Sequence, residues 1–439
     1  MKQSPPEAAA DEERRAGADA ALHGSLAPRR EPDGPIEREP GAGAARSRLR
    51  SALRSVFDDR GVRAALFAFA LTRLLVLLVF VLVGQTKISF DDTNRVFISE
   101  LNLKKVPIAR ILREEVLTAD ANWYVGIARD GYERRAFDAD KPHNWAFFPL
   151  YPLLLRAAAF VTGEYALTGM LLSHLFFLLA LIFLYRVAEG FGLGAEDAGR
   201  CVFYVAAFPV SYFFSLPLTE SLFLFLTIGS VYFAGRERWW TAALFGALAA
   251  ATRTTGVLLM PTLVLLYWQT YRRLWPPRAT LFSPALVPVG LLSFMVYLHF
   301  LTGNAFAFKD AMRAWGRKTG LFLLPLYEFV RHPFEIATSW DFRFLNFWAA
   351  IIVLTCGVLL VKQRRFALGF YTLASTLVAL SSVLLQSQAR YAMVVFPAFM
   401  VLAVAGRRPY VDQLIRAVSL VLLSLMAAMF AADFSIALS

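Results

Sequence analysis

The chain has 439 residues, 57% of them hydrophobic, and a mean hydropathy of +0.51, which excludes a water-soluble protein of this length and predicts a polytopic membrane protein. The formal charge of +12 does not indicate a nucleic acid partner, because the first 60 residues contain eleven basic and eleven acidic residues and the excess lies among the apolar runs. Only two cysteines occur, Cys201 and Cys356, both at or inside apolar runs, which argues against a disulfide framework or a cysteine metal site.

The first 60 residues are predicted to be a disordered cytoplasmic tail, followed by one membrane domain over residues 61–439. Residues 1–45 are rich in Ala, Glu, Arg, Pro and Gly, so they cannot bury enough apolar surface to offset chain entropy. The first long apolar run begins only near Ala64, which argues against a signal peptide. Arginines concentrated between residues 46 and 63 predict that the N-terminus stays in the cytoplasm.

A large first extracytoplasmic loop is predicted over residues 84–163, after a first span at 64–83. Residues 84–145 contain ten basic and ten acidic residues, a balance that suits an ordered loop outside the membrane. The apolar run at 147–161 is shorter than the ~20 residues that a span needs, and it contains two prolines and an arginine. We therefore expect it to form a helix that lies at the membrane surface.

Eleven spans give the most consistent topology. If the run at 147–161 does not cross, four later basic clusters lie inside, as the positive-inside rule requires, and if it crosses they all lie outside. A second large extracytoplasmic loop is then expected at 302–345. The later ten spans are predicted at 168–188, 201–217, 219–235, 240–256, 257–271, 281–301, 346–361, 366–385, 391–405 and 413–436.

Asp120 is the first candidate catalytic residue. The stretch from Asp120 to Asp130 is predicted to form a helix that ends at Gly131, a usual residue just past a helix C-terminus. Asp120 would lie in the first turn, where the helix dipole favours a carboxylate. Trp123 and Tyr124 would lie on its apolar face. The alternative is that Asp120 is only a helix cap.

Three further charged residues lie at predicted outer span ends. Glu220 is close to the hydrocarbon, where a carboxylate is costly unless it is paired or functional, and a structural partner for an arginine is as good an interpretation as an active-site role. Arg253 and Arg390 interrupt apolar sequence on the outer side, and arginine suits bidentate contacts with phosphate oxygens. Gln388 belongs to the same polar segment as Arg390.

Asp138, Asp140 and His143 could form a small acidic site. A divalent metal there is a minor alternative, because three residues at this spacing are weak evidence and the chain requires no cofactor on any other ground. His143 could instead contact a phosphate or cap a turn.

The sequences DANWYVGIARDGY and NWAFFPLYP resemble the first luminal loop of the PIG-V mannosyltransferase family. Family-like segments also occur around Glu220, Arg253 and Arg390, so the resemblance covers most of residues 64–405. One departure is Ala119, where the family usually has Trp. The matching residues in the first loop are Asp120, Ala121, Ile127, Ala128, Gly131, Tyr132, Ala146, Phe147, Phe148 and Pro149.

The resemblance implies an all-α membrane glycosyltransferase of the GT-C type, with a bundle of about 11 transmembrane helices. Such enzymes take a sugar from a polyprenyl phosphate and act on the extracytoplasmic face, with an acidic residue in the first loop near the membrane. The family implies mannose, a bacterial homologue would lie in the plasma membrane, and the acceptor would be a lipid or a glycan.

The resulting hypothesis is an inverting single displacement with Asp120 as general base. Arg253 and Arg390, together with His143, would stabilise the leaving phosphate. The alternative function is a flippase or transporter of lipid-linked sugars that uses the same polar groups for binding. The residues expected to line the site are Trp123, Tyr124, Asn144, Trp145, Phe147, Phe148, Glu220 and Gln388.

Overall fold

The computed structural model describes residues 58–85, 107–108, 110, 113, 117–118, 120–138, 140–272, 278–318, 320–332 and 343–432, and the backbone of 89–90 and 96–97. The predicted disordered tail lies almost wholly outside the described residues, so that prediction is untested. The described chain is helical apart from one hairpin, in which β1 (Ser89–Phe90) pairs antiparallel with β2 (Val96–Phe97). The prediction of an all-α membrane protein is confirmed apart from this short hairpin.

The part of the chain that the structure describes contains sixteen α-helices. They are α1 Arg60–Gly84, α2 Asp120–Asp130, α3 Leu150–Thr162, α4 Ala166–Gly190, α5 Ala195–Ala206, α6 Glu220–Ala234, α7 Trp239–Ala250, α8 Leu259–Tyr271, α9 Val289–Thr302, α10 Ala307–Asp310, α11 Leu324–Arg331, α12 Arg343–Lys362, α13 Phe366–Ala379, α14 Gln388–Ala392, α15 Phe396–Ala405 and α16 Pro409–Ala431. Short 3-10 helices cover Asn144–Ala146, Ser211–Ser215, Thr254–Leu258, Ala279–Leu286 and Ala311–Trp315.

Five helical segments among the described residues are long and apolar enough to cross a membrane. They are α1, α4, the joined segment Ala279–Thr302, α12 and α16. Each of the other predicted spans overlaps a shorter helix. In the span expected at 201–217, the α-helix ends at Ala206. The predicted spans therefore coincide with helices apart from the one at 201–217, which matches a helix only in part, and the number of eleven crossings stays a prediction.

Helix α3 occupies the apolar run that was expected not to cross. Its 13 residues span about 20 Å at the usual rise per residue, short of the ~30 Å hydrocarbon core. It ends at Gly163, whose φ of 71° is left-handed and therefore favours glycine. Phe160 and Val161 are 91% and 84% exposed near that end. These features agree with a surface helix, although its orientation in a bilayer stays a prediction.

A buried arginine in α1 fixes the irregular chain that precedes α6. Arg73 donates hydrogen bonds of 2.6 Å to the Ser211 carbonyl, 2.8 Å to the Ser211 hydroxyl and 3.0 Å to the Ser215 hydroxyl. It also donates to the Ala206 carbonyl, the last residue of α5, at 3.1 Å. These bonds satisfy a charge that would be costly to bury alone, and they hold the segment that leads to Glu220.

Candidate active site

A cavity of about 760 Å³ opens beside the N-terminal turn of α2. Parts of the chain that are far apart in sequence form its wall: α2, residues 146–148, residues 252–255, residues from 308 to 318, α13, and residues 386–395. Charged, hydroxyl and aromatic side chains all face it. We refer to it as the outer cavity, after the side of the membrane that the sequence predicts for it.

Asp120 faces the outer cavity as the first residue of α2. Its side chain is 36% exposed, and its Oδ2 accepts a hydrogen bond of 2.6 Å from Nη1 of Arg390. Within the described part of the chain, neither carboxylate oxygen accepts a bond from a backbone N–H of the first helical turn. The described contacts therefore do not support the alternative in which Asp120 only caps its helix.

Glu220, which the sequence analysis expected to line the site, is buried behind the outer cavity without lining it, and it joins two arginines that do line it. It is the first residue of α6, and its side chain has no exposed surface. Its Oε1 accepts a bond of 2.5 Å from Nε of Arg390 and lies 3.2 Å from Nη1 of Arg253. We call Asp120–Arg390–Glu220–Arg253 the charge chain. Because isolated buried charges are strongly disfavoured, its members depend on one another for burial.

Short irregular segments position the two arginines. Arg390 lies on α14, a helix of only five residues. The side chain of Asn346 on α12 accepts a bond of 2.9 Å from the backbone N–H of Ala389, and Gln388 donates 2.9 Å to the carbonyl of Ala379. Gln388 also lines the cavity. These contacts tie the segment before α15 to two neighbouring helices.

Arg253 precedes the 3-10 helix Thr254–Leu258, which packs directly on the end of α7. A Cβ atom at Gly256 would collide with the backbone of Ala249 and Ala250, so only glycine permits this approach. The Arg253 guanidinium lies 5.4 Å from the ring centre of Tyr391. Because Tyr391 follows Arg390 in the chain, this contact places Arg253 on the same side of the cavity as Arg390.

Arg317 is a functional candidate that the sequence analysis missed. It lies in the second predicted outer loop and lines the cavity, where it donates hydrogen bonds to the hydroxyl of Tyr391 and, at 3.5 Å, to that of Ser387. Among the described residues it forms no ion pair with a carboxylate. Lys309 and Lys318 line the same cavity. The excess of basic over acidic residues in the loop was the only signal in the sequence.

Aromatic side chains form one wall of the cavity. Trp123 stacks on Phe147 with ring centres 5.6 Å apart, and Trp315 meets both rings edge-on at 5.9 and 6.0 Å. Phe148 and Tyr124 also line the cavity. Burial, reinforced by the charge of Glu220, raises the pKa of the Tyr124 phenol above its usual range, so Tyr124 is a neutral hydroxyl near neutral pH.

The structure does not bring His143, Asn144 or Trp145 to the cavity. The His143 ring is fully buried, with Nδ1 2.9 Å from Oε2 of Glu133 and its centre 4.3 Å from that of Trp145. Trp145 donates 3.0 Å to the Glu133 carbonyl, and Asn144 donates 3.2 Å to the Gly131 carbonyl. These three residues stabilise the loop after α2, because they contact the Glu133 carboxylate and donate hydrogen bonds to the backbone carbonyls of Gly131 and Glu133.

The predicted alternative of a metal at Asp138, Asp140 and His143 gains no geometric support. Asp138 accepts a bond of 2.9 Å from the backbone N–H of Asp140, an arrangement typical of a turn. Its Oδ2 lies 4.0 Å from Nε2 of His143. Within the described ranges, no group of three or more His, Cys, Asp or Glu side chains is arranged to hold a metal ion.

The sequence profile of the mannosyltransferase (PIG-V) family matches residues 63–350, about two thirds of the chain. The chain belongs to this family. The matched region includes α2 and the segments that carry Glu220, Arg253 and Arg317, whereas Arg390 lies beyond it. Family membership and the five long apolar helices together identify the chain as a membrane protein.

Two curated members of the family are similar to part of the chain. The GPI alpha-1,6-mannosyltransferase 2 of Cricetulus griseus is 30% identical over 153 residues, and that of Rattus norvegicus is 31% identical over 153 residues. Each match covers 32% of this chain and 29% of the relative. The match thus spans less than a third of the length of these relatives.

Solved structures of the Archaeoglobus fulgidus oligosaccharyltransferase are also similar to the chain. The apo form has a TM-score of 0.41 at 12% identity and covers 83% of this chain and 55% of its own. The complex with an inhibitory peptide and a dolichol-phosphate has a TM-score of 0.41 at 12% identity, covering 83% and 56%.

Proposed function

We propose that the protein is a membrane glycosyltransferase that moves a sugar, mannose by family membership, from a polyprenyl-phosphate donor to a hydroxyl of a lipid or glycan acceptor. The observation that carries the proposal is the convergence of Asp120, Arg390, Arg253 and Arg317 on one cavity with an aromatic wall. The positive-inside pattern supports an extracytoplasmic position for this cavity, with the N-terminus in the cytoplasm.

Asp120 is proposed as the general base. Its Oδ2 is held by Arg390, whereas Oδ1 accepts no hydrogen bond from the described residues and can receive a proton. In an inverting displacement, the acceptor oxygen forms a bond to the anomeric carbon while the bond from that carbon to the phosphate oxygen breaks. The acceptor proton passes to Asp120, and the polyprenyl phosphate leaves without needing one.

Arg317 and Arg253 are proposed to contact the donor phosphate. Arg390 already bonds Asp120 and Glu220, so most of its charge is compensated within the protein. Arg253 shares Glu220 with it, and Arg317 has no described carboxylate partner. The less compensated guanidinium groups are the better ligands for a developing phosphate charge. Arg390 then contributes mainly by orienting Asp120, and His143 has no part in the proposed site.

The aromatic wall is proposed to hold the sugar and the first prenyl units. Trp123, Phe147 and Trp315 present ring faces and edges to the cavity. Such surfaces suit both the C–H face of a sugar and an isoprenoid chain, and their burial against substrate would exclude water that competes with the acceptor.

The decisive experiment is a transfer assay with purified full-length protein in lipid. Polyprenyl-phosphate-mannose is supplied with candidate acceptors, and the wild type is compared with Asp120→Asn. Loss of the base should lower turnover by about 100-fold or more. The matched control is Asp130→Asn, which changes an exposed carboxylate on the same helix; among the described residues it pairs with Arg129 alone.

Near-normal transfer by Asp120→Asn would overturn the role of Asp120. If wild-type protein moves the donor lipid across the bilayer without transferring its sugar, the transporter alternative would replace the proposed function.

A further inference from the structure

A second cavity, of about 410 Å³, lies far from the outer cavity. It is bounded by the last turns of α4 and α6 and by residues 269–270 of α8. Helix α6 begins at Glu220 in the charge chain and ends at Ala234 on this second cavity. Its 15 residues place the two ends about 22 Å apart, so the cavities lie toward opposite faces of the bundle.

Three arginines line this second cavity, which we call the basic cavity: Arg186, Arg236 and Arg365. Arg186 is neutralised, because it pairs with Asp59 and, at 3.1 Å, with Glu189. Arg236 only lies over the ring of Tyr232, with its guanidinium carbon 4.3 Å from the ring centre.

Arg365 donates 2.7 Å to the carbonyl of Phe191 at the end of α4. Neither Arg236 nor Arg365 forms an ion pair with a carboxylate in the described part of the chain. Two positive charges therefore face the basic cavity uncompensated.

Two exposed tryptophans near the basic cavity indicate a position at the depth of lipid headgroups. Trp240 is 53% exposed near the start of α7, and Trp268 is 37% exposed one residue before Gln269, which lines the cavity. Exposed tryptophans concentrate at the boundary between hydrocarbon and headgroups. The wall also includes Val231 and Leu266, which suit glycerol and the first acyl carbons. A membrane lipid therefore fits both the charge and the apolar part of the cavity.

We propose that the basic cavity binds the phosphate of an anionic membrane lipid through Arg236 and Arg365. Basic pockets between the ends of membrane helices hold anionic headgroups by charge-assisted hydrogen bonds. On the proposed topology, this lipid lies in the cytoplasmic leaflet, opposite the glycosyl transfer. The competing explanation is that the two arginines only balance the negative ends of α4 and α6, whose last carbonyls lie at the same place.

The two explanations are separated by measuring lipid binding to purified full-length protein by native mass spectrometry. Phosphatidylglycerol is titrated against wild type and the Arg236→Gln/Arg365→Gln variant, with diacylglycerol as the lipid without phosphate. The control, Arg238→Gln/Arg408→Gln, removes the same charge from two exposed arginines that do not line the cavity. Arg236→Gln alone is included because the Arg236 side chain makes no hydrogen bond to the described residues, so its replacement should leave the fold intact.

We expect phosphatidylglycerol to bind the cavity variant about tenfold more weakly than wild type, Arg236→Gln to show an intermediate loss, and the control to bind within about twofold of wild type. Equal weakening in the control, or equal binding of diacylglycerol, would overturn the proposal. Glycerol phosphate is titrated in parallel. If it bound wild type as tightly as the lipid does, the site would belong to a soluble phosphate and the lipid assignment would be wrong.

Discussion

At the scale of single residues, the charge chain explains why four ionisable groups persist beside hydrocarbon. Glu220 is completely buried, and it is tolerated because Arg390 and Arg253 both approach its Oε1. Asp120 accepts a hydrogen bond of 2.6 Å from Nη1 of the same Arg390. The two interpretations of Glu220, a partner for arginine or a site residue, are therefore compatible, because the same contact that buries Glu220 also positions Asp120 through Arg390.

Glu220→Gln should uncouple this arrangement. The amide keeps the shape but leaves Arg390 and Arg253 with less negative charge, and breaking a buried ion pair costs about 3–5 kcal/mol. We expect a lower melting temperature in detergent and a strong loss of transfer. The control is Glu196→Gln. Glu196 is 89% exposed, and its contact with Arg200, at 3.7 Å, is a surface ion pair that should contribute little to stability. Unchanged stability in Glu220→Gln would show that the charge chain is not cooperative.

Arg317→Gln tests the donor phosphate contact separately from the base. A lost charge-assisted bond to phosphate is worth about 1.5–3 kcal/mol, so the KM for donor should rise roughly tenfold or more while the protein stays folded. The matched control is Arg313→Gln in the same segment, because Arg313 is 70% exposed and its nearest carboxylate, on Asp310, is 3.9 Å away. A fall in kcat alone, with KM unchanged, would argue against donor binding by Arg317.

At the scale of elements, local sequence signals located the helix that carries Asp120 correctly. The predicted helix from Asp120 to Asp130 is α2 with the same bounds, and Gly131 follows it with a φ of 86°, so both predictions are confirmed. Breaks within spans were harder to foresee. The predicted span at 201–217 leaves the α-helix at Ala206, three residues before Pro209, which cannot continue a helix. Arg73 then holds the break by bonding the Ala206 and Ser211 carbonyls. That contact joins residues far apart in sequence, so no local pattern reveals it.

Gly256→Ala should displace the turn that carries Arg253. The added Cβ has no room against the backbone of Ala249 and Ala250, so the turn must shift, and we expect a melting temperature several degrees lower together with reduced transfer. Gly126→Ala is the comparison, because nothing lies within 4 Å of a Cβ there. Alanine is the better helix former by about 1 kcal/mol, so this variant should be neutral or stabilised. Equal melting of the two variants would contradict the close approach at Gly256.

At the scale of the whole molecule, the two cavities that contain charged side chains lie at opposite ends of α6. The outer cavity lies at the N-terminal end of α6, and the basic cavity lies at its C-terminal end. The positive-inside rule assigns the second end to the cytoplasm, which leaves the charge chain on the side where polyprenyl-linked sugars are proposed to react. The sidedness of both proposed sites therefore rests on the run at 147–161 not crossing.

Single cysteines test this topology. Lys141→Cys in the loop after α2 should react with a membrane-impermeant maleimide in intact cells, whereas Glu196→Cys in the first turn of α5 should react only after lysis. Both positions are exposed, and the native Cys201 and Cys356 are buried, so background labelling should be low. Labelling of Glu196→Cys but not Lys141→Cys in intact cells would invert the topology. Labelling of both would mean that an even number of segments crosses between them, as expected if the run at 147–161 crosses together with α4.

The sequence by itself determined the membrane class, the approximate positions of the helices and the choice of Asp120. Hydropathy, helix-ending glycines and the family motif are local signals that act within a few turns of chain. Only the tertiary structure decided which polar groups share a cavity. It paired Asp120 with Arg390, which lies 270 positions further along the chain, added Arg317, and placed His143 in a buried contact with Glu133. These choices depend on how short, broken helices pack, and packing is set by contacts between segments that the sequence keeps apart.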